Sequence, residues 1–357
     1  MNSQLVQTPD ERLAALAKPA ARAIDSLVLA PDDTLIICAG FEDRALAALA
    51  LALKGSDSFK LVLIGYAPFL PKNHEEMIRS MVSGRLGVKV THFSYDRENP
   101  AGFGAKLVES IDGKRGRVYI DISGMSRLLI VQTIVAFASS SRGPGLWSVL
   151  YSEAAEYPPT KSEAEAVLRQ STSDPTFSAL FLSSGVFEIT IVPELSSVSP
   201  APTQSRLIVF PAFDVHHLTA LRAELQPSRI TFIEGKPPSS ANLWRQIAIA
   251  ALNHLDSMPE AERITTCTLR YEETLDVLLG LYQRHGLRER LLIAPTGSKM
   301  QTVAVGLFRA YIEDVQIVYS TPRGFVSPDN YTRGVGPICL LDLSAYAELK
   351  DTGLVAG

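Results

Sequence analysis

The sequence predicts an α/β protein made of two tandem Rossmann-like, doubly wound parallel-sheet domains related by internal duplication. Three observations carry this reading. Short apolar, β-branched runs alternate with helical patterns of about ten to fifteen residues, the signature of βαβ units around a parallel sheet. The chain has 357 residues, more than one domain usually holds and enough for two of about 150. Blocks of sequence also recur in the same order. Residues 35–49 lie over 207–221 without a gap, with Leu35/Leu207, Ile36/Ile208, Phe41/Phe213, Leu46/Leu218, Ala48/Ala220 and Leu49/Leu221 identical. The glycine turns at Gly124 and Gly297 then align, followed by 149–152 with 317–320 and 185–192 with 334–341.

Taken in order, residues 1–30 read as an N-terminal helical extension interrupted at Pro19. The first domain, 31–194, places strands on the apolar runs at 34–39, 60–65, 88–94, 117–122 and 147–151. Helical patterns fill the gaps between them at 43–54, 74–83, 101–111 and 126–139. An extra segment follows at 156–184, with a helix expected at 161–170. Residues 195–205, rich in proline and serine, read as the linker. The second domain, 206–357, repeats the alternation. Its strands are expected at 206–210, 229–234, 263–269, 290–294 and 315–319, and its helices at 215–224, 241–255, 271–285 and 299–312.

Composition narrows the function classes. Hydrophobic residues make up 46% and charged residues 20%, so most of the chain should bury a core. A net charge of −4 speaks against a duplex-coating protein, which needs a strongly basic face, but allows a local basic pocket for a small anion. Cys38, Cys267 and Cys339 stand far apart in apolar runs, with no C-x-x-C pair and no cysteine–histidine cluster at zinc spacing. Buried thiols in a reducing cytoplasm are expected, with no metal and no cofactor. The N-terminus has no signal-peptide core, and the longest apolar run, 45–53, is too short to span a bilayer. Cytoplasmic location without membrane contact is the expectation.

In open α/β sheets ligands sit beyond the carboxyl ends of the strands, near the point where strand order reverses. The turns after the fourth strands are therefore candidate sites. They are Ser123, Gly124, Ser126 and Arg127 in the first domain, and Thr296, Gly297, Ser298 and Lys299 in the second. Glycine lets a backbone approach a ligand closely, helix-start N–H groups favour an anion, and hydroxyls with a basic residue suit a phosphate. The same residues can also be read as a serine-capped helix start that needs no ligand. The turns after the first strands offer Phe41, Glu42 and Arg44, and Phe213, Asp214 and His216. Here the rings could stack on a base, the acids could accept from ribose, and the cations could meet phosphate. Their other reading is core phenylalanines with acids at helix N-termini. Glu234 and Lys236 after Asp214 resemble a nuclease D…E-x-K set, but the first domain has Gly65-Tyr66-Ala67 at the matching place. Walker A, G-x-G-x-x-G and G-x-S-x-G motifs are absent.

The stretch APTGSKMQTVAV resembles the signature loop of CRISPR-associated Rossmann-fold (CARF) sensor domains, with Thr296, Gly297, Lys299 and Met300 matching and Ser298 in place of a second glycine. DISGMSRLL is a poorer match, keeping Ser123 and Gly124, with Arg127 standing for the lysine. The resemblance implies a sensor of cyclic oligonucleotides or similar nucleotides, in antiviral defence, whose paired loops contact ligand phosphates. It further implies an effector, which here would be a separately encoded partner; a homo-oligomer is compatible with it. The alternative is a nucleotide-processing enzyme, a hydrolase or transferase that slowly cleaves the messenger in the same pocket.

Overall fold

Two parallel sheets carry the chain, as the alternation of apolar runs and helices requires. The computed structural model describes residues 8–111, 116–139, 145–173, 185–198, 204–324 and 331–347. The chain begins α1 (Pro9–Ala15), β1 (Arg22–Ile24), β2 (Thr34–Cys38), α2 (Ala47–Gly55), β3 (Phe59–Ala67), α3 (Glu75–Val82) and β4 (Val88–Asp96). It continues through α4 (Phe103–Ser110), β5 (Val118–Asp121), α5 (Arg127–Ser139), β6 (Trp147–Ser152), α6 (Lys161–Ser173) and β7 (Val186–Thr190). The second half holds β8 (Ser205–Val209), α7 (His216–Leu225), β9 (Arg229–Lys236), α8 (Trp244–Leu252), β10 (Glu262–Cys267), α9 (Tyr271–His285) and β11 (Arg290–Ala294). It ends with α10 (Lys299–Tyr311), β12 (Gln316–Ile317), β13 (Tyr319–Pro322) and β14 (Ile338–Asp342). Residues 199–203 of the expected linker lie outside the described residues. None of the described helices is long and apolar enough to cross a membrane.

The larger sheet runs β1-β14-β6-β5-β2-β3-β4 and the smaller β10-β9-β8-β11-β12. Both are doubly wound, with strand order reversing between β2 and β5 in one and between β8 and β11 in the other. The central strands β2 and β8 are buried along almost their whole length, which is why they read as unbroken apolar runs.

Between the sheets lie α5 and α10. Almost every residue of α10 is buried, as is most of α5, and both helices carry apolar side chains on all sides. They touch closely at Gly306, where a Cβ would stand 2.7 Å from Cβ of Ile134. One hydrophobic core therefore runs through both halves, joining Ile130, Val131 and Ile134 to Val303, Ala304 and Leu307.

Three elements depart from the expected layout. Residues 22–24, placed in a helical extension, form the edge strand β1 antiparallel to β14. The strand at 315–319 is broken into β12 and β13. The third departure is reciprocal. β14, the last strand of the second half, leaves its own sheet and pairs antiparallel with β6 of the first, Ile338 opposite Ser152. β7, at the end of the first half, pairs antiparallel with β13 of the second, Ile189 opposite Ser320. Ser152 and Ser320 are equivalent in the duplicated sequence, and so are Ile189 and Ile338. The two exchanges therefore share one register.

Candidate functional site

The four turns beyond the central strands meet where the two halves face each other, and charged side chains cross in both directions. From the start of α5, Nε of Arg127 donates to the carbonyl of Gly297, 2.6 Å away in the other half. From the start of α10, the Lys299 ammonium donates to the carbonyl of Ser123 and lies 3.4 Å from Oε1 of Glu42. Thr332, on the segment leading to β14, adds its hydroxyl to Oε2 of Glu42 at 2.8 Å. Arg44 closes the other side of that carboxylate at 2.7 Å.

Burial works to raise the pKa of Glu42, but Lys299 and Arg44 overcome it and hold the carboxyl at about 2. Burial lowers the Lys299 amine to about 8, against the pull of Glu42. The crossing therefore pairs a firmly ionised acid with a lysine that is poorly solvated in its charged form.

Behind this crossing the crevices at both switch points are filled by protein. In the first half Gly40 and Gly124 lie back to back. A Cβ on Gly124 would stand 2.1 Å from the carbonyl oxygen of Cys38. In the second half Thr296 bridges β8 and β11, its hydroxyl donating to Phe210 O at 2.7 Å and accepting from Phe210 N at 3.2 Å. Ser298 caps α10 reciprocally with Gln301 and donates to Thr268 O. Ser123 donates to buried Asp121 at 2.5 Å and accepts from Ser152 N at 2.8 Å. Burial pushes the Asp121 carboxyl up to about 6. Ser126 offers Oγ to Leu129 N at 3.3 Å.

The expected site residues thus divide. Glu42, Arg127, Gly297 and Lys299 converge at the crossing, with the Ser123 carbonyl. The hydroxyls of Ser123, Thr296 and Ser298 hold loops together. Arg44 is 4% exposed and sits behind Glu42, bonded to Tyr151 and Tyr157. Phe213 turns inward, under the Arg245 guanidinium at 4.7 Å and beside Trp244. Its counterpart Phe41 stays half-buried at the crossing, edge-on to Tyr331 at 5.2 Å. Asp214 is buried, accepts from His216 N at 3.2 Å, and lies 3.7 Å from Nε2 of His217. His217 Nδ1 pairs with Ser320 Oγ at 2.6 Å, and burial lowers the ring to about 4, so it is neutral at pH 7.

Sequence reasoning missed a second group of residues. Tyr66 at the end of β3 accepts from Ser126 N at 2.6 Å and donates to Gly124 O at 3.2 Å. Arg97, just past β4, lies over its ring at 5.8 Å, and Lys72 lies over Phe41 at 5.1 Å. Tyr331 and Thr332 come from the returning C-terminal segment. The signal for Tyr66, Lys72 and Arg97 was the pairing of aromatic and basic residues in GYAPFLPKNH and YDRENP, which run from the last residues of β3 and β4 into the loops that follow. Among the described residues no group of histidine, cysteine, aspartate and glutamate is placed to hold a metal ion.

No family model matches the chain, and no curated protein does. Among solved structures, it is similar at 10% identity and a TM-score of 0.24 to Haemonchus contortus phosphoethanolamine N-methyltransferase 1 in complex with phosphoethanolamine and S-adenosylhomocysteine, over 87% of this chain and 77% of that one. It is similar at 11% identity and a TM-score of 0.24 to the cytoplasmic domain of a prokaryotic cation chloride cotransporter, over 83% and 98% of the two chains. A universal stress protein from Archaeoglobus fulgidus gives 8% identity and a TM-score of 0.23 over 82% and 97%. Likenesses this slight carry no functional argument, and the chain's α/β class rests on its own two doubly wound sheets.

Proposed function

We propose that this protein is a nucleotide sensor or regulatory subunit that binds a ligand phosphate at the crossing of its two halves. The observation that supports this most directly is the Glu42 carboxylate. Within the crossing Lys299, Arg44 and Thr332 already surround an anion, and a phosphate oxygen could take its place opposite Lys299. Arg127 reaches the same crossing from the opposite half. A ligand held there would touch both halves at once and so could alter their contact, which is what a sensor requires. The CARF resemblance of the loops around Thr296–Lys299 and Ser123–Arg127 supports a cyclic oligonucleotide as ligand and antiviral defence as setting, with the response passed to a separate effector.

The test is a thermal-shift screen of the full chain against linear and cyclic nucleotides. One nucleotide should raise the melting temperature of the wild type, and Lys299→Met and Arg127→Ala should lose that response. Losing one charge-assisted hydrogen bond of about 1.5–3 kcal/mol should weaken binding roughly tenfold to a hundredfold. Glu42→Gln, which removes the resident negative charge, should bind more tightly. A wild type that responds to no nucleotide, or variants that respond like it, would sink the proposal.

The Lys299 amine also sets a pH dependence of two opposite signs. Ligand affinity should fall as pH rises past about 8, where the folded chain loses that charge. The ligand-free fold should gain stability over the same range, because the unfolded lysine keeps its proton up to the ordinary value of 10.5 and so binds more protons. Titrations and denaturant melts at pH 7 and pH 9.5 measure the two trends separately.

A further inference from the structure

We infer that the loops after β3 and β4 form a second subsite that clamps the distal half of the ligand, a base with its own phosphate; this rests on the nucleotide reading above. The loops are built from different parts of the first half but converge on one place. The end of β3 brings Tyr66 and the loop after it Lys72, the loop after β4 brings Arg97, and the turn after β2 brings Phe41. Lys72 lies 5.1 Å from the Phe41 ring centre and Arg97 lies 5.8 Å from that of Tyr66, so each cation is coupled to an aromatic face. Phe41 and Tyr331 meet edge to face at 5.2 Å, and the phenylalanine ring is half-buried. Tyr66 ties the cluster to the phosphate loop through its bonds with Ser126 N and Gly124 O, at 2.6 and 3.2 Å. Burial, and with it the Arg97 charge, lowers the pKa of Lys72.

Two like charges brought together beside flat rings match a phosphodiester with its base, since a base stacks on an aromatic ring or a guanidinium plane and two cations share a phosphate. The second half does not repeat the arrangement. Where the first half has Tyr66 the second has Gly235, which carries no ring, and Phe213 is covered by Trp244 and Arg245. The clamp is therefore one-sided, and the ligand class is a nucleotide with at least two phosphates, bound in one orientation.

The measurement is calorimetric titration of the full chain with mononucleotides and the matching cyclic dinucleotides, comparing wild type with Arg97→Gln and Lys72→Gln. The wild type should bind a dinucleotide at least about tenfold more tightly than its mononucleotide, and each variant should erase most of that preference while leaving mononucleotide affinity unchanged. Both side chains are half-buried, and Lys72→Gln, which leaves the Arg97–Tyr66 contact in place, serves as the second variant should Arg97→Gln fail to fold. A wild type that binds both ligand classes equally, or variants that keep the preference, overturns the clamp and leaves the Lys299 site standing. A wild type that binds neither class removes both readings together.

Discussion

Arg44→Ala should lower the stability of this protein by about 3–5 kcal/mol, as expected when one partner of a buried ion pair is removed. The guanidinium donates from Nε to Glu42 at 2.8 Å and from Nη1 to the Tyr151 hydroxyl at 2.9 Å and the Ser152 carbonyl at 3.2 Å. It also lies 5.3 Å from the ring centre of Tyr151 and 5.7 Å from that of Tyr157. Alanine takes the guanidinium from the buried Ser152 carbonyl and the Tyr151 hydroxyl, the latter keeping its bond to Tyr157, and leaves Glu42 dependent on Lys299 and Thr332. Arg44→Lys should recover little, because an ammonium cannot fork between the carboxylate and the carbonyl while lying against two rings. Equilibrium denaturation gives the answer. A loss below about 1 kcal/mol would mean that water replaces the guanidinium and that the site is more open than its burial indicates.

Gly124→Ala should cost about 1–3 kcal/mol, the usual penalty for overpacking, and more than Gly297→Ala. The glycine turns matched in sequence, yet they serve different neighbours. At Gly124 the added methyl meets backbone, the Cys38 carbonyl oxygen at 2.1 Å, so β2 and β5 must separate. At Gly297 the nearest atoms are Oε1 of Gln301 at 2.5 Å and Cβ and Cδ1 of Phe210 at 3.0 Å, side chains rather than backbone. Paired denaturant midpoints decide between them. If Gly297→Ala proved the more damaging, the Gln301 cap would be the stiffer of the two supports, and the packing account of Gly124 would fail.

Much of the fold was legible because the buried strands are buried on both faces. Runs such as TLIIC and RLLIA leave little choice of structure, and β2 and β11 fall close to where the pattern put them. The alternation within a strand does not say which sheet it joins. GVGPICLL and GVFEITIV read as ordinary closing strands, and their exchange depends on contacts between residues far apart in sequence. The same limit applies to the site. Glu42, Arg127 and Lys299 stood out as charges at turns, but a turn motif does not show that Lys299 reaches the loop of the other half. Lys72 and Arg97 have no adjacent glycine to mark them, and three-dimensional convergence brings them together with Tyr66.

The matched exchange of β7 and β14 has a consequence for how the chain is made. During synthesis β6 emerges long before β14, so the larger sheet lacks that strand when the first half leaves the ribosome, and β7 waits for β13 in the same way. Until residue 342 is in place, the β6 edge offers unpaired amides to any passing strand, so the nascent first half needs its distant sibling to become safe from aggregation. Two separate chains of one ancestral unit could have clasped in the same way, each lending its last strand to the other. Fusion into one polypeptide turns that mutual loan from a matter of concentration into one of order, in which the final strand made completes the sheet begun first.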